Sequence, residues 1–323
     1  MSISTKKSLN NAFRAIVFKE VSDHLRSWRF IILVAIIALT CFGSLYAALS
    51  VMDKAIKPND PEGTFFFLKL FTLSDGTLPS YAVYISFLGP LLGISLGFDA
   101  INSEHNRGTL SRILAQPIHR DYILNAKFMG SLIVISVLLF ALGFLVMGIG
   151  LIAIGIPPTV EEFMRIIAFI LLSIVYVAFW LNLSIYFSVR FRQPATSALS
   201  GIAVWLFFSV FYPMIINMVS KVFQPSEFAS AHEIAGYERL ITAMLYLLPN
   251  QLFSVATSTL LMPSIRSLGT LSMEQIAGSL PGPLPVGQSL MLVWAQVTAL
   301  VAATVFCFVL SYVSFMRREI RSR

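Results

Sequence analysis

Chemistry has few places to sit in this chain. His232 and Glu233, in "AHEIAG", hold the first half of a helical zinc motif but lack the second His that would complete it, so they read as loop polarity. Cys41 and Cys307 stand alone inside apolar runs and read as small hydrophobes, with neither disulfide nor metal-ligand spacing. No G-x-x-x-x-G-K-[ST] phosphate loop occurs, nor any Gly-Lys pair, so ATP and Mg are expected on another chain if they are used at all. The exception is residues 102–127, "NSEHNRGTLSRILAQPIHRDYILNAK". Glu104, Arg107, Arg112, Arg120, Asp121 and Lys127 are gathered there between two apolar runs. Such groups suit charge-assisted hydrogen bonding and docking rather than catalysis.

The elements that must position this segment are membrane spans. Only 12% of residues are charged, about half the share of an ordinary soluble domain. Charge-free runs cover 30–52, 76–98, 128–160, 166–189, 193–220, 240–265 and 275–316. Each could hold the ~20 apolar residues that cross a ~30 Å hydrocarbon core. The alternating ~10-residue segments of a membrane barrel are absent. The expected fold is therefore an all-α polytopic membrane protein. Six runs read cleanly as spans, at about 30–50, 80–98, 129–154, 166–189, 196–219 and 289–315.

The seventh run, Leu240 to Ile265, is split by Pro249-Asn250 into pieces too short to cross. With six spans and both termini cytoplasmic, sixteen of the 23 Lys and Arg fall in the inner segments and seven in the outer ones. A seventh span would put the basic tail "RREIRSR" outside, against the positive-inside rule. Residues 221–288 then form an extracytoplasmic loop holding a broken helical pair. It is either re-entrant, dipping into the outer leaflet under cover of protein, or an amphipathic hairpin on the surface. The net charge of +7 lies beside the spans and suits an anionic lipid surface rather than nucleic acid. No cleavable signal peptide is evident at the basic N-terminus.

The spans carry no Asp, Glu, Lys, Arg or His at mid-depth; Asn182, Asn217 and Gln296 are their main polar residues. Ion-coupled carriers need ionisable groups in the membrane, and intramembrane hydrolases need a nucleophile with a base or metal. No catalytic site is expected, and any energy source is expected outside this chain.

On the inner side, Gly108-Thr109 opens a short helix that Thr109 can cap, and Pro117 ends it. Leu110, Ile113 and Leu114 share one face. Arg120 closes a turn, and "DYILNAK" opens the third span with Lys127 at the lipid surface. This is a docking element or an ordinary interfacial loop. Residues 12–28 place Phe13, Ile16, Val17, Val21, Leu25 and Trp28 on one stripe, as an interfacial elbow helix would. Arg190, Arg192 and Pro194 make the second inner loop short and basic, for positive-inside anchoring or for contact with a partner. Phe207, Phe208, Phe211, Tyr212 and Asn217 in the fifth span could line an apolar path, although lipid-facing packing is the commoner role.

"GFDAINSEHNRGTLSRILAQPIHRDYILNAKFMG" resembles the signature region of ABC-2 type permeases, the membrane subunits of ABC exporters. The resemblance rests on Asp99, Glu104, Gly108, Thr109, Leu110, Leu114, Pro117, Arg120 and Lys127. "LLPNQLFSVATSTLLMPSIRSLG" is similar to the later outer segment of the NosY-like subgroup. The resemblance implies one transmembrane domain over 1–323, a plasma-membrane location, and a homodimer of six-span subunits. Each subunit would dock on a separate cytoplasmic ATPase that binds ATP and Mg. The coupling elements would be the region 1–29 and the two inner loops, including Glu104, Gly108, Thr109, Leu110, Ile113, Leu114, Pro117, Arg120, Arg190 and Arg192. The function implied is that of a permease subunit of an ATP-driven exporter. The alternative is a non-transporting module that relays ATPase work to an extracytoplasmic partner.

Overall fold

The computed structural model describes residues 3–55, 65–109, 115, 119–225, 230–264 and 283–317, and every regular element among them is helical. In chain order these are α1 (Ile3–Leu25), α2 (Trp28–Ala55), α3 (Phe66–Thr72), α4 (Tyr81–Gly97), α5 (Asn102–Asn106), α6 (Arg120–Ile154) and α7 (Val160–Arg190). Then follow α8 (Pro194–Leu206), a π turn (Phe207–Phe211), α9 (Tyr212–Val222), α10 (Ala231–Leu245), α11 (Pro249–Leu261) and α12 (Val286–Arg317). Six stretches are long and apolar enough to cross a membrane: Trp28–Met52, Tyr81–Asn106, Arg120–Ile154, Val160–Arg190, Pro194–Val222 and Val286–Arg317. They match the six expected spans. Several run past the expected edges: α6 begins at Arg120 and α7 at Val160, and Lys127 and Arg165 within these extensions find partners on neighbouring elements.

The bundle is built around α7, which packs against α4, α6, α8, α11 and α12. Its most apolar stretch is 67% buried, against 17% for the fifth span, so α7 is core and the fifth span is periphery. Lipid tails are as apolar as Leu, so close packing must hold such helices together. Gly89, Gly93 and Gly97 line one face of α4 at four-residue spacing. A Cβ on Gly93 would lie 2.6 Å from the Val177 carbonyl oxygen and 2.8 Å from the Leu181 nitrogen. Only glycine admits that approach. Ser184 on α7 then donates to the Ile94 carbonyl at 3.1 Å.

Two prolines inside spans leave carbonyls without helical donors. Pro90 cannot serve Ser86, and the buried Tyr176 hydroxyl donates to the Ser86 carbonyl instead at 2.9 Å. Pro213 cannot serve Ser209, and the helix widens into the π turn directly before it. At the start of α7, Thr159 and Glu162 form a capping box, and the buried Glu162 carboxylate also accepts from the Phe67 N–H of α3 at 2.9 Å. One side chain thus closes two helix ends.

α10 and α11 meet at 107°, so the split at Pro249 is a sharp bend between two helices. The ends of the bundle differ in polarity. One, here the charged end, gathers α1, α5, the start of α6 and the α7–α8 loop. The far end gathers α3, the start of α7, and α11 with the start of α12.

Candidate functional site

At the charged end, Lys127 is 5% exposed, which corrects the expectation that it lies at the lipid surface. Both oxygens of Glu20, on α1, accept from its ammonium at 3.0 Å, and Glu104 approaches at 3.4 Å. Glu20 is itself buried. A lysine two turns inside a span would snorkel to water if alone. Here a carboxylate from a helix docked alongside keeps it in. Gly130 makes the docking possible: a Cβ there would meet the Glu20 Cβ at 2.9 Å. The Ser131 hydroxyl lies 2.9 Å from His24 Nε2, and Phe13 packs edge-on against Tyr122 at 5.5 Å.

The inner face of α1 is therefore mixed in character. Phe13, Ile16, Val17 and Val21 are half-buried as the stripe predicts, but Leu25 and Trp28 are exposed, and the carboxylate of Glu20 occupies the centre. Burial lowers the His24 pKa, and the nearby Lys127 charge adds to this, while Glu20, Asp99 and Asp23 oppose it. For Lys19 the balance reverses: burial pulls its pKa down, but the carboxylates of Glu20, Glu104 and Asp23 outweigh that and hold it above the ordinary value.

Glu104 joins this cluster to the segment that follows. Its carboxylate accepts from the Thr109 hydroxyl and lies 3.4 Å from Lys19. Gly108, between them, has φ +68°, a left-handed conformation that glycine adopts without penalty. Thr109 thus turns its hydroxyl back on Glu104. Leu110, Ile113, Leu114 and Pro117 lie outside the described residues. Arg120 is half-buried and opens α6, with Asp121 in the first turn.

The end of α7 and the α7–α8 loop meet the α4–α5 corner. Asn106 donates to the Arg192 carbonyl at 3.0 Å, and Ser188 accepts from the Ile101 and Asn102 N–H groups at 2.9 and 3.2 Å. The side chains of Arg190 and Arg192 are exposed. Arg29 pairs with Asp99 at 2.8 Å and stacks over Phe98. The result is a single polar plate that ties α1, the α4–α5 corner, α6 and the α7–α8 loop together.

The proposed path residues lie at the periphery of the chain. Phe207, Phe211 and Asn217 are exposed, and Phe208 and Tyr212 are half-buried. The three rings of Phe207, Phe208 and Tyr212 cluster at 5.6 to 6.2 Å, and Tyr212 donates to the Met244 carbonyl of α10 at 3.3 Å.

Sequence reasoning missed a residue at the far end. Arg165 falls between the expected spans 129–154 and 166–189, where a solvated loop cation is expected, yet its side chain is wholly buried. Its guanidinium donates to the Leu260 carbonyl at 2.9 Å, to Ser289 at 3.1 Å, to the Leu284 carbonyl, and to Glu161 at 3.0 Å. It fixes the C-terminal turn of α11 and the entry to α12 onto α7. A cation at the last carbonyls of α11 also complements that helix's dipole. The i,i+4 spacing of Glu161 and Arg165 was the available signal. Nearby, the Tyr176 hydroxyl is also 2.7 Å from Asn250 Oδ1, and Asn250 Nδ2 donates to Ser209 at 2.7 Å. That network holds the bend before α11 to α7 and to the π turn.

Comparison with known proteins agrees with this architecture. The pattern of the ABC-2 family transporter proteins matches residues 14–320. A probable ABC transporter permease protein NosY from Stutzerimonas stutzeri is 27% identical over 242 residues, covering 73% of this chain and 81% of that protein. A probable ABC transporter permease protein NosY from Pseudomonas aeruginosa is 28% identical over 153 residues, covering 45% of this chain and 53% of that protein. With six apolar helices and a match over nearly its whole length, this chain belongs to the ABC-2 family of transporter proteins, as a multi-pass membrane permease.

Proposed function

We propose that the chain is the permease subunit of an ATP-driven exporter. It acts as a dimer in the plasma membrane, with both termini and the charged end in the cytoplasm. A separate ATPase subunit binds ATP and Mg and grips that end. The observation that carries this reading is the Glu20–Lys127–Glu104 cluster, in which Glu20 and Lys127 are buried and Glu104 half-buried. It joins the elbow helix, the 102–127 segment and the third span, so a push on the segment displaces a span. The positive-inside distribution supports the orientation, and the 107° bend between α10 and α11 supports a re-entrant pair at the outer end. Large exposed apolar side chains on the first and fifth spans, among them Leu39, Tyr46, Met214 and Met218, supply a surface for a second copy or for lipid.

The test is a double variant, Leu110→Asp with Leu114→Asp. Central apolar anchors at an interface are worth about 2 kcal/mol or more each. The variant is expected to insert normally but to lose co-purification of the ATPase, or to keep it with hydrolysis uncoupled from substrate. Parental behaviour in both respects would reduce the segment to a membrane anchor. Substrate-stimulated hydrolysis without any substrate crossing the bilayer would favour the relay reading over export.

A further inference from the structure

The side of α1 that points away from α6 is not the one the apolar stripe marks. Phe13, Ile16, Val17 and Val21 are half-buried on the inner face, around Glu20 and its 3.0 Å contact with Lys127. What remains outward is a second apolar series. Phe18 is 72% exposed, Leu25 53% and Trp28 78%. Arg14, Phe18 and Leu25 follow one another at spacings of four and seven residues, which puts them on one side of the helix. Arg14 and Arg26 are exposed and form no ion pair among the described residues. Lys19, on the neighbouring strip, is instead matched by Asp23 at 3.5 Å and Glu104 at 3.4 Å. The outward side is thus apolar and aromatic, with uncompensated positive charge toward both ends.

Its depth follows from the chain. α1 ends at Leu25, and the first span begins with α2 at Trp28. The three steps between those residues cover about 11 Å at most. Ile31, Ile32, Ile36 and Leu39 on α2 are exposed in their turn, so the outward side of α1 runs on into the apolar surface of the span. A surface continuous with a span begins at the depth of the acyl chains. Trp favours the boundary between those chains and the headgroups, and Arg suits phosphate. One layer meets both needs. A soluble protein would have to reach Leu25 and Trp28 through that same layer.

We propose that the outward side of α1 is a seat for anionic phospholipid. Phe18, Leu25 and Trp28 lie among the acyl chains nearest the surface, and Arg14 and Arg26 meet the phosphates. The seat belongs to one chain and involves neither nucleotide nor ATPase, so its failure would leave the proposed ATPase coupling standing.

The test uses the full chain, without the ATPase, in phosphatidylcholine nanodiscs that hold a small share of phosphatidylglycerol. Either the phosphatidylglycerol or an equal amount of the phosphatidylcholine carries bromine on its acyl chains, which quenches any tryptophan it touches. The Trp28 signal is the difference between the parent and Trp28→Phe. Both brominated lipids are expected to quench it, phosphatidylglycerol several-fold more strongly at equal amount and less so in high salt. Arg26→Gln should lower that preference by up to about fivefold, the worth of one basic residue at an anionic surface. Arg26→Lys should keep it, which separates charge from shape. No quenching of Trp28 by either lipid would mean that protein or water covers this side of α1. Equal quenching by both, or a preference that Arg14→Gln with Arg26→Gln leaves intact, would mean that the arginines select nothing. Either result would overturn the proposal.

Discussion

Both ends of this bundle bury a cation, and they hold it in opposite ways. At the charged end, Lys127 is held by carboxylates that come from elsewhere in the chain, Glu20 on α1 and Glu104 beyond α4. At the far end, Arg165 is held mostly by neutral groups, the carbonyls of Leu260 and Leu284 and the hydroxyl of Ser289, with Glu161 one turn away. The first arrangement joins separate elements through charge. Removing one partner leaves a charge stranded, and an element can come away. The second is a fork of donors closing helix ends, which suits a part that stays in place. The polar plate at the charged end is therefore a charge-held junction between separate elements, and the far end a fork that closes helix ends.

The comparison breaks most visibly at Lys127. Lys127→Met leaves the buried Glu20 carboxylate with only the exposed Lys19, at 3.4 Å, and losing one partner of a buried pair costs up to about 3–5 kcal/mol. The expected result is release of α1 from α6, read as faster hydrogen exchange over residues 13–25 while the spans stay protected. Adding Glu20→Leu should recover most of the loss, because an apolar pair of similar volume often substitutes for a buried ion pair.

The next effect in size belongs to Arg165. Arg165→Lys keeps the charge but loses the planar fork that reaches several acceptors at once. Each hydrogen bond lost to a charged donor is worth about 1.5–3 kcal/mol. The cost should fall at the far end alone, as increased protease cleavage between α11 and α12 with α1 still docked. A loss of α1 docking in this variant would contradict the separation of the two ends.

How far the molecule can be read in advance differs between these same regions. The spans are plain in the charge-free runs, because a chain must be apolar for about 20 residues to cross a bilayer. The break at Pro249 is equally plain. The partners of Lys127 and Arg165 are not. Glu20 lies 107 residues from Lys127, and Leu260 lies 95 from Arg165, so no local pattern links them. A lysine near a span end looks the same in sequence whether it snorkels or is paired. The close approach of α4 to α7 left a clearer trace in Gly89, Gly93 and Gly97, whose spacing is that of a helix-packing face. The apolar face expected at Leu110, Ile113 and Leu114 lies outside the described residues.

The smallest predicted effect is the dependence of the charged end on pH. His24 titrates near 6.5 when α1 is detached, and burial lowers that value when it is docked. The docked form therefore binds fewer protons in the interval below 6.5. Docking is unaffected above that pH and weakens as the pH falls through it, until the lowered value is reached. Protection of α1 from hydrogen exchange should fall as the pH drops below about 6.5. His24→Gln should flatten that dependence without detaching the helix.

The central claim is that the charged end faces the cytoplasm and is the surface a partner ATPase covers. The exposed side chain of Arg192 tests it directly. In a background with Cys41→Ala and Cys307→Ala, an Arg192→Cys variant is treated with an impermeant thiol reagent, applied to intact cells and to inverted membrane vesicles. The account predicts no labelling in intact cells, rapid labelling in vesicles stripped of the ATPase, and slower labelling once the ATPase is returned. Labelling from outside the cell, or vesicle labelling that the ATPase leaves unchanged, would contradict it.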